Sequence, residues 1–227
     1  MNIVLLLAGG IGSRTGLEIP KQFLTVNGVP LLVYTMSLFH NSDKIDAICV
    51  AAHPDWIEQV WSYSRSYGID KLKWVAPGGE TGLESVRNGV EILNSQDSSD
   101  LVLIHDSVRP FLTQRAIDDN IRVAEKYNVA VTSAPCVETL IQVDANGRSI
   151  KQIPRDGIMR VMTPQTFRLG ILRDLFRNPD IINSPYPSTF ALYMSLGHPV
   201  YCSYGSERNI KITYPEDIDY LKNLFEL

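Results

Sequence analysis

Cysteine is scarce in this chain: three in 227 residues, Cys49, Cys136 and Cys202, far apart and never in a C-x-x-C pair. An odd, scattered set offers neither a zinc site of the usual spacing nor a disulfide framework. Three buried structural thiols are the expectation, since free cysteine is among the most buried residue types. Long hydrophobic runs are missing too. No apolar stretch approaches the roughly 20 residues that span a bilayer, and a strand-like run starts almost at once, so neither a membrane partner nor a signal peptide is expected. A cytoplasmic protein is expected. Basic runs are equally absent, and with a formal net charge of −4 the chain lacks the footprint of a nucleic-acid binder. A few cations converging locally can still hold a polyanionic small molecule. Two familiar glycine loops also fail. Thr15 stands where the dinucleotide fingerprint G-x-G-x-x-G needs its third glycine, and no lysine follows Gly12 or Gly16 as a P-loop requires.

What is present is a globular composition, 44% hydrophobic and 20% charged, in an alternating order. "NIVLLLA", "IDAICVAA", "KLKWVA", "LVLIHD" and "VAVTSAP" read as buried strands. Between them, "VPLLVYTMSLFH", "DWIEQVWSYSRSYG", "ESVRNGVEIL" and "TQRAIDDNIRVAEKYN" have helical length and spacing. The last has Thr113 as its N-cap and Ile117, Ile121 and Ala124 on one face. Strands alternating with helices predict an α/β, Rossmann-like fold, with a mainly parallel sheet covered on both faces. "TLIQVDANGRSIKQI" breaks the rhythm with two β-prone arms around Asn146-Gly147, a hairpin signal. An isolated hairpin is only marginally stable, so this one is expected to project as a dimerisation arm at about 138–156. No linker or repeat divides the chain, which predicts one domain over 1–227.

Ligands in such sheets gather beyond the carboxyl ends of the strands, where the first glycine turn and the His105–Asp106 pair fall. The turn Ala8-Gly9-Gly10-Ile11-Gly12 lets backbone N–H groups approach an anion, with Arg14 and Lys21 close behind. His105 and Asp106 end another strand. The carboxylate suits Mg²⁺, and the imidazole reads as a packed, hydrogen-bonded histidine. Arg109 either pairs with a carboxylate or faces a ligand. "APGGETGLES" supplies a second glycine turn, with Ser85 near a helix start either as a cap or beside a nucleobase edge. Near the C-terminus "ERNIKITYPEDI" reads as a strand whose period-two geometry puts Asn209 and Lys211 on one face.

Taken in order, "LAGGIGSR...PKQ", "GG...ES", "HDSVRPF", "TPQTF" and "NIKIT.PED" resemble the cytidylyltransferases that make CDP-activated polyol phosphates, over residues 3 to about 224. "LAGGIGSR" and "HDSVRPFLTQR" look closer to the D-ribitol-5-phosphate branch than to the 2-C-methyl-D-erythritol 4-phosphate branch of isoprenoid synthesis. The resemblance implies a nucleotide-diphospho-sugar transferase type of fold and CTP plus a polyol phosphate as substrates. It places the CTP phosphates on the backbone of Leu7, Ala8, Gly9, Gly10 and Gly12, with Arg14, Lys21 and Lys211 as the catalytic cations. Asp106 and Asn209 would hold Mg²⁺, with Asp106 also on the nucleotide side, and Gly79, Glu80 and Ser85 would read cytosine. Thr139, Arg155, Thr163 and Arg109 would hold the acceptor. The arm would complete the partner's site in a homodimer, with Arg155 acting in trans.

Two features depart from the pattern. Ser188 and Thr189 stand in place of the acidic pair of the methylerythritol branch, and Gly82 stands where an arginine is usual. The implied reaction is Mg²⁺-dependent transfer of CMP from CTP to D-ribitol 5-phosphate. Methylerythritol phosphate is the alternative acceptor. A non-catalytic nucleotide-binding dimer and a nicotinamide-dependent oxidoreductase are the remaining readings.

Overall fold

The apolar run at the N-terminus forms β1 (Asn2–Ala8), and its alternation supplies two cores at once. Ile3 and Leu5 enter one, while Val4, Leu6 and Ala8 enter the other. A strand apolar on both faces belongs in the middle of a helix-covered sheet. The computed structural model, which describes residues 1–10, 19–178, 181, 183–213 and 217, places it there.

After β1, a small hairpin of β2 (Thr25–Val26) and β3 (Val29–Pro30) leads into α1 (Leu31–His40). Then come β4 (Ala47–Ala52), α2 (Ile57–Ser66), β5 (Leu72–Pro77), α3 (Gly82–Ile92), β6 (Leu101–Asp106), α4 (Gln114–Tyr127) and β7 (Val129–Pro135). The hairpin β8 (Leu140–Val143) and β9 (Ser149–Ile153) follows, then β10 (Met159–Arg168), α5 (Leu169–Leu175), α6 (Thr189–Ser195) and β11 (Cys202–Tyr204). The seven-stranded sheet has the order β11-β7-β10-β6-β1-β4-β5. Neighbours run parallel except β10, which is antiparallel to both β6 and β7. Helices α1, α2 and α4 cover one face and α3, α5 and α6 the other. The expected α/β, Rossmann-like architecture is the observed one.

Local chemistry sets the element ends. Thr113 Oγ1 accepts the Ala116 N–H at 3.3 Å to start α4, and Asn128, left-handed at φ 67°, ends it. Helix α3 lies close on β1 because residue 89 has no side chain: a Cβ there would come within 2.6 Å of Leu5 Cδ1.

The hairpin arm forms its own two-stranded sheet, separate from the main one. Asp144 Oδ1 accepts the N–H groups of Asn146 and Arg148, and Gly147 takes φ +80°. Ile141, Val143 and Ile150 are exposed along it.

Two expectations need correction. Cys49 and Cys136 are buried, but Cys202 is exposed, because it points to the face of β11 opposite Ser203, which is the residue buried against Asn120 of α4. Burial pushes the Cys49 thiol up to about 12. Residues 209–213 are irregular and not a strand of the sheet. Among the backbone bonds of that stretch, Ile212 N–H donates to Val108 O at 3.0 Å. Among the described residues, no helix is long and apolar enough to cross a membrane.

Candidate active site

Parallel pairing brings strand ends together along one edge. Leu7 lies opposite Asp106, Ala8 opposite Ala52, and Ala52 opposite Pro77. The turns after β1 and β5 therefore meet. A Cβ on Gly78 would sit 2.8 Å from Gly9 Cα, so glycine is what permits the two backbones to cross. Ser85 pins the second turn: its Oγ accepts the Gly79 N–H at 3.0 Å and donates to Thr81 O at 3.0 Å. The cap of α3 is Thr81, whose Oγ1 accepts from Glu84 N at 3.1 Å. Glu84 reaches back to take the Glu80 N–H at 2.8 Å.

Asp106 is held by two cations on different oxygens. Arg109 Nε donates to Oδ2 at 2.9 Å and Lys211 Nζ to Oδ1 at 3.0 Å. Burial acts against its charge, but Lys211 and Arg109 outweigh it and hold the carboxyl below its ordinary range. The Asp106 N–H donates to Thr163 Oγ1 at 3.2 Å. Thr163 reaches this position because the register of β10 against β7 shifts between Val161 and Gln165. Its hydroxyl donates in turn to His105 Nδ1 at 3.0 Å. His105 Nε2 faces the Arg109 carbonyl at 3.3 Å, which can only accept, so Nε2 carries the proton. Burial lowers the His105 pKa to about 4, leaving a neutral, packed imidazole as expected. Asn209 sits behind this layer, 1% exposed. Its Nδ2 donates to Thr163 O at 2.8 Å, and its carbonyl accepts Arg109 Nη1 at 2.7 Å.

Two cavities, each of about 440 Å³, open from this edge. The first is lined by Gly9, Gly10, Lys21, Gly79, Glu80 and Ser85. The second is lined by Arg109, Thr163, Gln165, Ser188, Thr189 and Phe190. Leu7, Gly82, Asp106, Pro187 and Lys211 belong to both walls. Two compartments of similar size, joined at a carboxylate–lysine pair, can seat two anionic molecules with their reacting ends together.

The pattern of the family described as IspD, 2-C-methyl-D-erythritol 4-phosphate cytidylyltransferase, matches residues 2–225. This chain belongs to that family. It is therefore a nucleotidyltransferase enzyme, which removes the non-catalytic and nicotinamide-dependent readings. It is 36% identical to ribitol-5-phosphate cytidylyltransferase of Lacticaseibacillus paracasei, over 98% of this chain and 97% of that one. With 2-C-methyl-D-erythritol 4-phosphate cytidylyltransferase of Clostridium novyi it shares 33%, over 99% and 96%. The solved Francisella tularensis 2-C-methyl-D-erythritol 4-phosphate cytidylyltransferase superposes with a TM-score of 0.77 at 28% identity, over all of both chains.

Against this cytidylyltransferase frame, the residues singled out from sequence divide clearly. The fold brings Leu7, Gly9, Gly10, Lys21, Gly79, Glu80, Ser85, Asp106 and Lys211 to the first cavity. Ala8, between the lining residues Leu7 and Gly9, ends β1 and is not itself in the wall. Arg109 and Thr163 line the second. Thr139 and Arg155 are exposed on the arm and line neither, with Arg155 Nη1 bonded to Val137 O at 2.9 Å. Asn209 lines neither wall, although its Oδ1 is buried with no hydrogen-bond partner among the described residues. Gly12 and Arg14 lie outside the described residues.

Sequence reasoning missed Gln22 and Ser107. Gln22 is 2% exposed, and its Nε2 ties Ala8 O (2.7 Å) and Gly10 O (2.9 Å), so it shapes the first glycine turn. Ser107 Oγ donates to Leu7 O at 2.7 Å across the sheet edge. The only signal for either was adjacency, one following Lys21 and the other following Asp106.

Proposed function

We propose that this chain transfers CMP from CTP to D-ribitol 5-phosphate, giving CDP-ribitol and pyrophosphate. The reading is carried by the junction of the two cavities at Asp106 and Lys211. CTP occupies the first cavity, its phosphates along Ala8 to Gly10 and its base toward Gly79, Glu80 and Ser85. The polyol phosphate occupies the second, between Arg109 and Thr163. An oxygen of the acceptor phosphate attacks the α-phosphorus in line. The new P–O bond forms as the bond to the β-phosphate breaks, and pyrophosphate leaves with the electron pair. A phosphate monoester is already anionic near neutral pH, so the step needs no general base. This agrees with a site whose histidine is buried and neutral.

The obstacle is repulsion between anions, and cations held in place offset it. Lys21 stands at the first glycine turn, and Lys211 is shared by both cavities. Arg14 has the same role in this reading, by the resemblance of its loop. The Asp106 carboxylate is a hard oxygen donor shared by both cavities, of the kind Mg²⁺ takes together with substrate phosphates; the buried, unpartnered Asn209 Oδ1 is the second oxygen in this reading, by the resemblance. Mg²⁺ would neutralise charge on the phosphates. The arm completes the acceptor site of a second subunit, which accounts for Thr139 and Arg155 standing apart from the cavities of their own chain.

Ribitol phosphate is favoured by the neutral Ser188 and Thr189 in the second wall and by the 36% identity to a ribitol-5-phosphate enzyme. Methylerythritol phosphate is the second reading, favoured by the family pattern and the Clostridium novyi relative. Comparing kcat/KM for the two acceptors at saturating CTP separates them. A higher value for D-ribitol 5-phosphate supports the first reading, and a higher value for methylerythritol phosphate replaces it with the second.

A further inference from the structure

A turn that binds an anion through its N–H groups has to keep its carbonyl oxygens, which carry the opposite partial charge, off the ligand. In the turn after β1 one side chain holds two of them. Gln22 Nε2 donates to Ala8 O at 2.7 Å and to Gly10 O at 2.9 Å, which accounts for both hydrogens of the amide. The carbonyl and the following N–H of a trans peptide point opposite ways, so the bond to Ala8 O also fixes the direction of the Gly9 N–H. Gln22 lines the first cavity beside Gly9, Gly10 and Lys21. Its backbone is anchored by other means. It is the middle residue of a single 3-10 turn, Lys21–Phe23, and the buried Phe23 stacks on Trp56 with ring centroids 4.1 Å apart. A methionine of similar size would fill the same space, so what the amide adds is the pair of bonds.

We infer that Gln22 is a positioning residue for the triphosphate of CTP: it holds the carbonyls of Ala8 and Gly10 away from the phosphate oxygens and ties the segment that carries Lys21 to the same turn. The inference rests on the reading of the first cavity as the CTP site. Without the two bonds, both carbonyls are released beside the phosphates and repel them. The penalty then falls on the triphosphate and spares the base, which in that reading lies at the other turn, against Gly79, Glu80 and Ser85.

The test is calorimetric titration of the full-length protein and its Gln22→Met variant with CTP and, separately, with cytidine, in the presence of Mg²⁺. Loss of two buried hydrogen bonds predicts a Kd for CTP raised about 10- to 100-fold, with the Kd for cytidine within about twofold of the parent. A merely structural role would weaken both ligands alike. Proton–nitrogen NMR of the parent supplies a second measurement that stands even where the variant does not fold. The Gln22 side-chain NH₂ signals should exchange slowly with solvent, shift on adding CTP and stay in place on adding cytidine. An unchanged CTP Kd in Q22M overturns the inference, as does an equal loss for cytidine or a fast-exchanging NH₂ group in the parent. A parent that binds no CTP overturns the functional reading and this inference with it. A parent and a Q22M variant that bind CTP equally well overturn the inference alone.

Discussion

His105 adjoins the most strongly engaged carboxylate of the site, yet it is fully buried and packs edge-on against Phe39, with ring centroids 5.0 Å apart. Its pKa falls from an ordinary 6.5 to about 4 through burial, which the neighbouring Asp106 only partly opposes. Between those two values the unfolded chain binds a proton that the folded chain does not, so stability rises with pH across the window and is complete above about 6.5. Urea unfolding at pH 7.5 and pH 5 should differ by about 2 kcal/mol from this residue alone. The difference should shrink in His105→Gln; an equal difference in parent and variant contradicts the assignment. At this scale the sequence showed which residues carry charge but not which contacts hold them. Lys21 was legible as a cation behind a glycine turn, Asp106 as a carboxylate at a strand end, and Lys211 as a cation sharing a face with Asn209. Gln22 and Ser107 were not, because their roles depend on bonds to carbonyls 14 and 100 residues away.

Alternation was the readable signal for elements. The central strands showed as apolar runs because both faces are buried, and the helices between them showed as longer, mixed stretches. The same signal misled at 209–213, where Ile210 and Ile212 alternate with Asn209 and Lys211. Ile212 and Ile210 pack with Val26, Leu31 and Val108 in a small cluster. The two isoleucines pack there without pairing in the sheet, and Asn209 is buried as well. Glycines within one helix also separate by contact rather than by sequence. Gly89 faces Leu5, whereas a Cβ at Gly82 meets nothing within 4 Å. Gly89→Ala should destabilise by about 1–3 kcal/mol through overpacking. Gly82→Ala should be neutral or stabilising by up to about 1 kcal/mol. Chemical denaturation of both variants checks this, and equal effects would contradict the close packing of α3 on β1.

At the scale of the whole molecule, one chain holds two joined cavities while two of the acceptor residues drawn from the resemblance, Thr139 and Arg155, stay out on the arm. If Arg155 acts in the partner's site, Lys211→Ala and Arg155→Ala proteins, each nearly inactive, should complement when mixed and allowed to exchange subunits. About a quarter of the sites would then carry both native residues. No recovery on mixing would place Arg155 in its own chain's site and contradict the trans arrangement. The arm itself was legible as a hairpin from its two β-prone strands around Asn146-Gly147. The central claim, that CTP and a polyol phosphate react where the cavities join, is tested most directly by ³¹P NMR of the enzyme with CTP, Mg²⁺ and D-ribitol 5-phosphate. The account predicts loss of both substrates with matching growth of pyrophosphate and a CDP-ribitol diphosphate pair, all abolished by Lys211→Ala. Unchanged substrate signals with the parent enzyme, or undiminished turnover in the variant, would contradict it.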